Sequence, residues 1–192
     1  MKSPNLYIIA GPNGSGKTTF ADGFLPIYTD CKNFVNADNF AKGLSPYSPA
    51  TVGLKAGRLV LKENQAYADK NSDFAFETTL SGKKYVSFLR DLKAKGYKIH
   101  LFFLWIPSVD LSLARIKDRV SRGGHNIPEP DVRRRFSRGI SNFFELYEPL
   151  LDLWILFDNS TAKPHLIAKK EDGKLTIEDE ELYIKIKKSI GV

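Results

Sequence analysis

The residues of this chain best suited to chemistry lie in one run, Gly11-Pro12-Asn13-Gly14-Ser15-Gly16-Lys17-Thr18-Thr19. Gly11, Gly16, Lys17 and Thr18 have the spacing of a phosphate-binding P-loop, with an apolar stretch before it and a helix-compatible stretch after it. Glycines let the backbone curl so that successive N–H groups point inward at phosphate oxygens. A helix starting near Gly16 adds the positive end of its dipole at the same point. Lys17 is placed to bridge the outer phosphates, and the Thr18 hydroxyl to ligate Mg²⁺. The whole run is read as the site of a nucleoside triphosphate rather than as a glycine-rich turn that binds nothing.

Four further sets of residues add chemistry. Asp38 follows a short apolar run, and open α/β sheets bind ligands at the carboxyl ends of their strands. Its carboxylate would take the proton of an attacking hydroxyl, or else cap a helix beginning near Asn39. Glu77 closes another apolar run, the general form of a strand-end acid that holds a metal. It would equally bind a substrate hydroxyl, with Thr78 and Thr79 assisting. The segment 80–84 is superficially like the signature of transporter ATPases but lacks its second glycine and its glutamine. Ser81, Gly82 or Lys83 is instead a candidate substrate contact.

Arg115 and Arg119 stand four apart on one helical face, and Arg134 and Arg138 repeat that spacing after a Gly- and Pro-rich stretch. Two basic faces flanking a hinge suit a mobile lid, about 119–135, that closes guanidinium groups onto phosphates. A solvated basic face or a nucleic-acid surface is the other reading. His125, within the loop, is a candidate substrate contact. Asn159, after the last apolar run, is a candidate partner for a nucleotide base or an ordinary turn residue.

These residues need a scaffold that brings them together. Apolar runs at 6–10, 73–77, 99–106 and 154–157, with a shorter one at 34–36, predict strands, and 18–24, 51–70, 84–95 and 109–122 predict helices. Nearly continuous apolar strands alternating with helices argue for a parallel sheet covered on both faces, a three-layer α/β fold of the P-loop NTPase type. Beyond the Gly/Pro loop, Val132, Phe136, Ile140, Phe143 and Tyr147 form one helical stripe, with Arg134 and Arg138 opposite it. The segment 165–192 reads as a hairpin with an Asp-Gly turn and a closing helix, structural in role.

With 192 residues, no internal repeat and no linker, the chain reads as one domain spanning 1–192. Cys31 is its one cysteine, which excludes a disulfide framework or a cysteine metal cluster and suits a reducing cytoplasm. No apolar run approaches a membrane span. The net charge of +7 asks for an anionic partner. Its arginines gather beside the hinge without interleaved aromatics, which argues against nucleic acid.

Taken in order, 10–19, Asn36-Ala37-Asp38, Ala75-Phe76-Glu77-Thr78-Thr79-Leu80-Ser81-Gly82, Gly96-Tyr97, 122–128 with the arginines after it, and Asp158-Asn159-Ser160 resemble the zeta-toxin family of P-loop kinases. The resemblance covers roughly residues 4–160. It implies ATP- and Mg²⁺-dependent phosphorylation of a small-molecule acceptor, a UDP-activated amino sugar such as UDP-N-acetylglucosamine. It also implies an antitoxin protein as partner. Carried onto matching positions, Lys17 and Thr18 serve ATP and metal, Asp38 is the general base, and Glu77 with Thr78 holds the sugar nucleotide. Arg119 and Arg134 become the lid arginines, with the adjacent Arg133 and Arg135 as the alternatives to Arg134 under a one-residue shift, and Arg115 lies nearer the adenine.

Overall fold

Seven strands form one sheet in the order β2-β3-β1-β4-β5-β6-β7. They are β1 (Asn5–Ala10), β2 (Phe34–Val35), β3 (Phe74–Thr78), β4 (Lys98–Trp105), β5 (Leu153–Asp158), β6 (His165–Glu171) and β7 (Lys174–Ile177). These come from a computed structural model that describes residues 3–45, 52–124 and 126–191, to which every structural statement refers. The first five strands run parallel, and β6 and β7 add an antiparallel extension. Parallel neighbours require crossovers, here supplied by α1 (Lys17–Tyr28), α2 (Ala37–Leu44), α3 (Gly53–Asp69), α4 (Tyr85–Ala94), α5 (Val109–Ser121) and α6 (Glu129–Asn142). Helix α7 (Glu180–Ser189) follows the terminal hairpin, whose turn holds Asp172 and Gly173 at positive φ.

The central position of β1 follows from its sequence. Leu6, Ile8, Ile9 and Ala10 are fully buried, so the strand has no polar face to offer solvent. β3 pairs on one side of it and β4 on the other, and the connections diverge at its carboxyl end. That is the switch point where doubly wound sheets open a crevice for ligands. The P-loop begins there.

Two features depart from the helices expected. α1 runs past Pro26 to Tyr28, because Thr29 closes it with both its N–H and its hydroxyl on the Leu25 carbonyl. The run around Asp38 forms a helix of its own, α2. The expected strand at 34–36 is the two-residue β2, and the expected stripe on α6 is largely buried.

After Asn142 the α6 backbone widens into a π-helical turn, Phe143–Tyr147. That change of pitch turns the adjacent Phe143 and Phe144 both inward, where a regular helix would splay them. They meet the Trp154 ring edge-on at 5.4 and 6.3 Å between centroids. This cluster joins α6 to β5. Trp154→Ala is expected to cost about 3–5 kcal/mol in denaturant unfolding, and Trp154→Phe markedly less, since it keeps an aromatic ring in the cluster and removes an unpartnered indole N–H.

Candidate active site

The P-loop follows β1 as a curl that only glycine permits at Gly11. Gly11 has φ +140, and any Cβ there would collide with the Leu104 carbonyl on β4. Gly14, at φ +74, leaves no room for a side chain against the Ser112 carbonyl on α5. The loop's outward-facing carbonyls are held from three directions. The buried Ser112 hydroxyl donates to Asn13 O at 2.5 Å, Arg115 Nη1 to Gly14 O at 3.3 Å, and Asn159 Nδ2 to Ser15 O at 2.6 Å. Gly16 is the N-cap of α1 and has no side chain to cap the first turn. The first N–H groups of α1 therefore lack an intrahelical partner and are left for an anion. The buried Ser15 hydroxyl also lacks a protein partner. An uncapped helix start, an unused hydroxyl donor and a rigid glycine curl fit phosphate oxygens.

Lys17 is 9% exposed and bends back to donate to Pro12 O at 2.8 Å. Burial pulls its pKa down, while the charges of Glu77 and Asp38 pull the other way. Opposite it, Glu77 sits on β3 in register with Ile9 of β1. The Thr18 hydroxyl donates to Glu77 Oε2 at 2.9 Å. Burial raises the Glu77 pKa, opposed by Lys17 and by the Thr18 bond. A hydroxyl and a carboxylate side by side at the mouth of a phosphate loop form a hard-oxygen donor pair of the kind Mg²⁺ accepts beside phosphate and water. The residues fit the metal.

The two readings of Asp38 are separated by geometry. Asn36, not Asp38, caps α2, accepting the N–H of Asp38 at 2.7 Å and that of Asn39 at 3.4 Å. Asp38 is thereby free to line the cleft, where its Oδ2 lies 3.9 Å from Arg119 Nη1. The cleft has a volume of ≈ 780 Å³ and gathers Asn13, Lys17, Thr18, Thr19, Asp38, Glu77, Thr78, Thr79, Ser81, Arg115 and Arg119 along its walls. His125 lies outside the described residues.

The adjacent arginines of α6 point in different directions. Arg134 turns away to Asp131 at 2.6 Å and does not line the cleft; Arg135 does. Helical spacing explains it. Arg135 is four residues before Gly139, the position that packs on the Thr79 carbonyl so closely that a Cβ would collide. Farther along the same segment, Asn142 Nδ2 donates to Leu80 O at 2.7 Å and Tyr147 Oη to Gly82 O at 2.6 Å. These bonds hold Leu80 at φ +53, a conformation that a branched side chain adopts only when its surroundings impose it. One helix thus carries an arginine into the cleft and fixes the 79–82 loop on its opposite wall.

Arg115 and Asn159 brace the loop from outside. Arg115 also donates to Asn159 O at 2.9 Å and Ser160 O at 2.7 Å. Asn159 Nδ2 spends one of its two N–H donors on Ser15 O. Arg115 lines both the cleft and a second, apolar hollow of ≈ 1020 Å³ walled by Phe20, Phe24, Phe102, Ile155 and Phe157, whereas Asn159 lines the hollow and not the cleft. Asn36, Ser112 and Lys84 line or support the cleft without having been singled out from sequence. For Asn36 a signal was present, an Asn two residues before an acid at a strand end.

The zeta toxin family model matches residues 1–149. The chain belongs to the zeta toxin family. It is 33% identical over 127 residues to an uncharacterized protein of Haemophilus influenzae, covering 66% of this chain and 88% of that one. Among solved structures it is similar to the AvrRxo1-ORF1:-ORF2 complex with ATP, with a TM-score of 0.78 and 23% identity over 96% of this chain. The zeta toxin family member described here spans 63% of that chain's length. A protein of the PezAT chromosomal toxin-antitoxin system of Streptococcus pneumoniae matches with a TM-score of 0.65 and 14% identity over all of this chain and 87% of that one. At these identities the structures establish a shared fold, the parallel-sheet P-loop architecture, which extends beyond residue 149.

Lys17→Met tests the site without needing an acceptor. Replacing a charge that burial disfavours removes a desolvation penalty, so the melting temperature is expected to hold within a few degrees or rise. The thermal shift produced by Mg²⁺·ATP should vanish. A large drop in melting temperature, or a retained shift, would contradict this account of Lys17.

Proposed function

We propose that this protein is an ATP-dependent kinase that moves the γ-phosphoryl group of ATP to a hydroxyl of a small molecule, with a UDP-activated amino sugar such as UDP-N-acetylglucosamine as acceptor. The observation that carries the reading is one cleft holding Lys17 and the Thr18–Glu77 pair on the donor side and Asp38 beside Arg119. Membership of the zeta toxin family and the ATP in a structure of similar fold support it.

In this mechanism the P-loop N–H groups and Lys17 hold the β- and γ-phosphates, Lys17 exchanging the Pro12 carbonyl for phosphate oxygen. Thr18 and Glu77 would hold Mg²⁺, which neutralises phosphate charge when bound. Asp38 accepts the proton of the acceptor hydroxyl as its oxygen bonds to the γ-phosphorus and ADP leaves with the bond's electrons. Arg119 and Arg135 reach the same space and stabilise the charge on the transferring group. Thr78, Thr79 and Ser81, on the fixed loop, supply hydroxyls to the acceptor, and Arg115 and Asn159 border the base. An antitoxin protein is the proposed partner, following the toxin-antitoxin system named for the PezAT structure. Among the described residues no helix is long and apolar enough to cross a membrane, and the cytoplasm is the proposed location.

Incubation with ATP, Mg²⁺ and UDP-N-acetylglucosamine should yield ADP and a phosphorylated sugar nucleotide. Asp38→Asn is expected to lower kcat by about 10²–10⁴-fold with little change in ATP affinity. Absence of any consumed acceptor, with Asp38→Asn leaving every activity intact, would sink the proposal.

The two adjacent arginines give a separate test. Arg135→Ala should reduce kcat/KM by about 10²-fold, while Arg134→Ala, which removes only a surface ion pair with Asp131, should stay within about twofold of wild type. The reverse ranking would place the lid on the other arginine.

A further inference from the structure

Among the described residues the sheet ends at β7, which pairs with β6 on one side and with no strand on the other. The large apolar side chains left exposed gather here, with Leu175 and Ile177 on β7 and Ile184 on α7. Trp154 pairs with Lys170 and Lys170 with Leu175, while Leu156 reaches Ile177 in the same way through Ala168. Directly opposed residues share a face, so Leu175 and Ile177 lie on the Trp154 side of the sheet. Helix α7 packs on that side as well, with Tyr183 edge-on to Phe144, which itself meets Trp154.

The main chain of β7 has a matching pattern. The Asp172-Gly173 turn is two residues long, so Glu171 and Lys174 oppose each other as a hydrogen-bonded pair. Bonded pairs alternate from there, recurring at Lys169 with Thr176 and at Ile167, whose carbonyl accepts the Glu178 N–H. Lys174, Thr176 and Glu178 therefore turn their backbone groups inward to β6. Leu175 and Ile177 turn theirs out to the open edge. Sheet edges are commonly blunted by charge or proline, whereas here the two outward-bonding residues are the two exposed apolar ones.

An antiparallel strand would satisfy those groups, and β7 of a second copy fits them. Around a two-fold axis at Thr176, Leu175 of each copy opposes Ile177 of the other as a bonded pair, and Lys174 opposes Glu178. Lys174 and Glu178 are exposed and enter no ion pair among the described residues. An axis at Leu175 would set Ile177 against Gly173, and one at Ile177 would set Leu175 against Asp179. Only the axis at Thr176 matches apolar with apolar and charge with opposite charge.

We propose that β7 is a dimerisation edge, through which a second copy of this chain extends the sheet across a two-fold axis at Thr176. The inference goes beyond the kinase reading and does not depend on it. Three strands separate β7 from β1, and no residue of β6 or β7 lines the cleft.

Strands this short give a small interface, so association should be weak and concentration-dependent. Sedimentation equilibrium over a concentration series should show the mass rising from 21.6 kDa toward twice that value. Lys174→Glu and Glu178→Lys each set like charges against each other at both symmetric contacts, and each should weaken the dimer about fivefold or more. The double variant, which exchanges the two charges, should recover most of the loss. That recovery separates a contact between copies from damage to the hairpin, because Lys174→Glu faces Glu171 unfavourably in both the single and the double variant. Leu175→Lys, at an exposed position, should abolish the dimer and leave the Mg²⁺·ATP thermal shift unchanged. A mass of 21.6 kDa at every concentration, a dimer that the single variants leave intact, or a double variant no better than the singles would overturn the inference.

Discussion

A lysine amine, almost wholly removed from water and held between a carbonyl and a carboxylate wall, is the constraint around which this structure is arranged. Lys17 gains little from its own surroundings, because burial disfavours its charge more than Glu77 and Asp38 favour it. Such a group persists because the scaffold over-determines it. β1 delivers the loop from a strand buried on both faces, β3 places Glu77 in register beside Ile9, and α5 and the 158–160 turn hold the loop's carbonyls outward. The same contacts leave the inward donors unused. Bound triphosphate supplies the missing charge, so binding and local stability reinforce one another.

The acceptor side is built differently, through α6. Gly139, Asn142 and Tyr147 lock the 79–82 loop, and Arg135, one helical turn before Gly139, lines the cleft. In the proposed mechanism, the acceptor contacts and the arginine that stabilises charge therefore hang on one segment, joined to the sheet through Phe143 and Trp154. Any displacement of α6 moves both. Positioning of this kind is how a site with little covalent chemistry of its own accelerates phosphoryl transfer.

The parallel sheet and the P-loop were legible in the sequence because both are local signals, apolar runs of strand length and glycines at fixed offsets. The acid at the end of β3 was legible for the same reason. Asp38 was ambiguous between cap and cleft, since both readings place it at a strand end; only the capping bonds of Asn36 separate them. In Arg133-Arg134-Arg135, periodicity placed Arg134 opposite the core stripe, which is where it is. The cleft lies on the flank of α6 rather than opposite its core, and that depends on how Gly139 meets Thr79, a contact between residues sixty apart. The π-helical turn after Asn142 and the Tyr147 bond to the Gly82 carbonyl were invisible for the same reason. Both are set by packing, not by pattern.

A crystal structure with Mg²⁺ and a non-hydrolysable ATP analogue would test the central claim most directly. The account predicts the triphosphate wrapped by 11–18, the metal on the Thr18 hydroxyl and the Glu77 side, and Asp38 facing open space across the γ-phosphate. A nucleotide seated elsewhere, or an Asp38 carboxylate turned away from the γ-phosphate with Arg119 still bound to it, would contradict it.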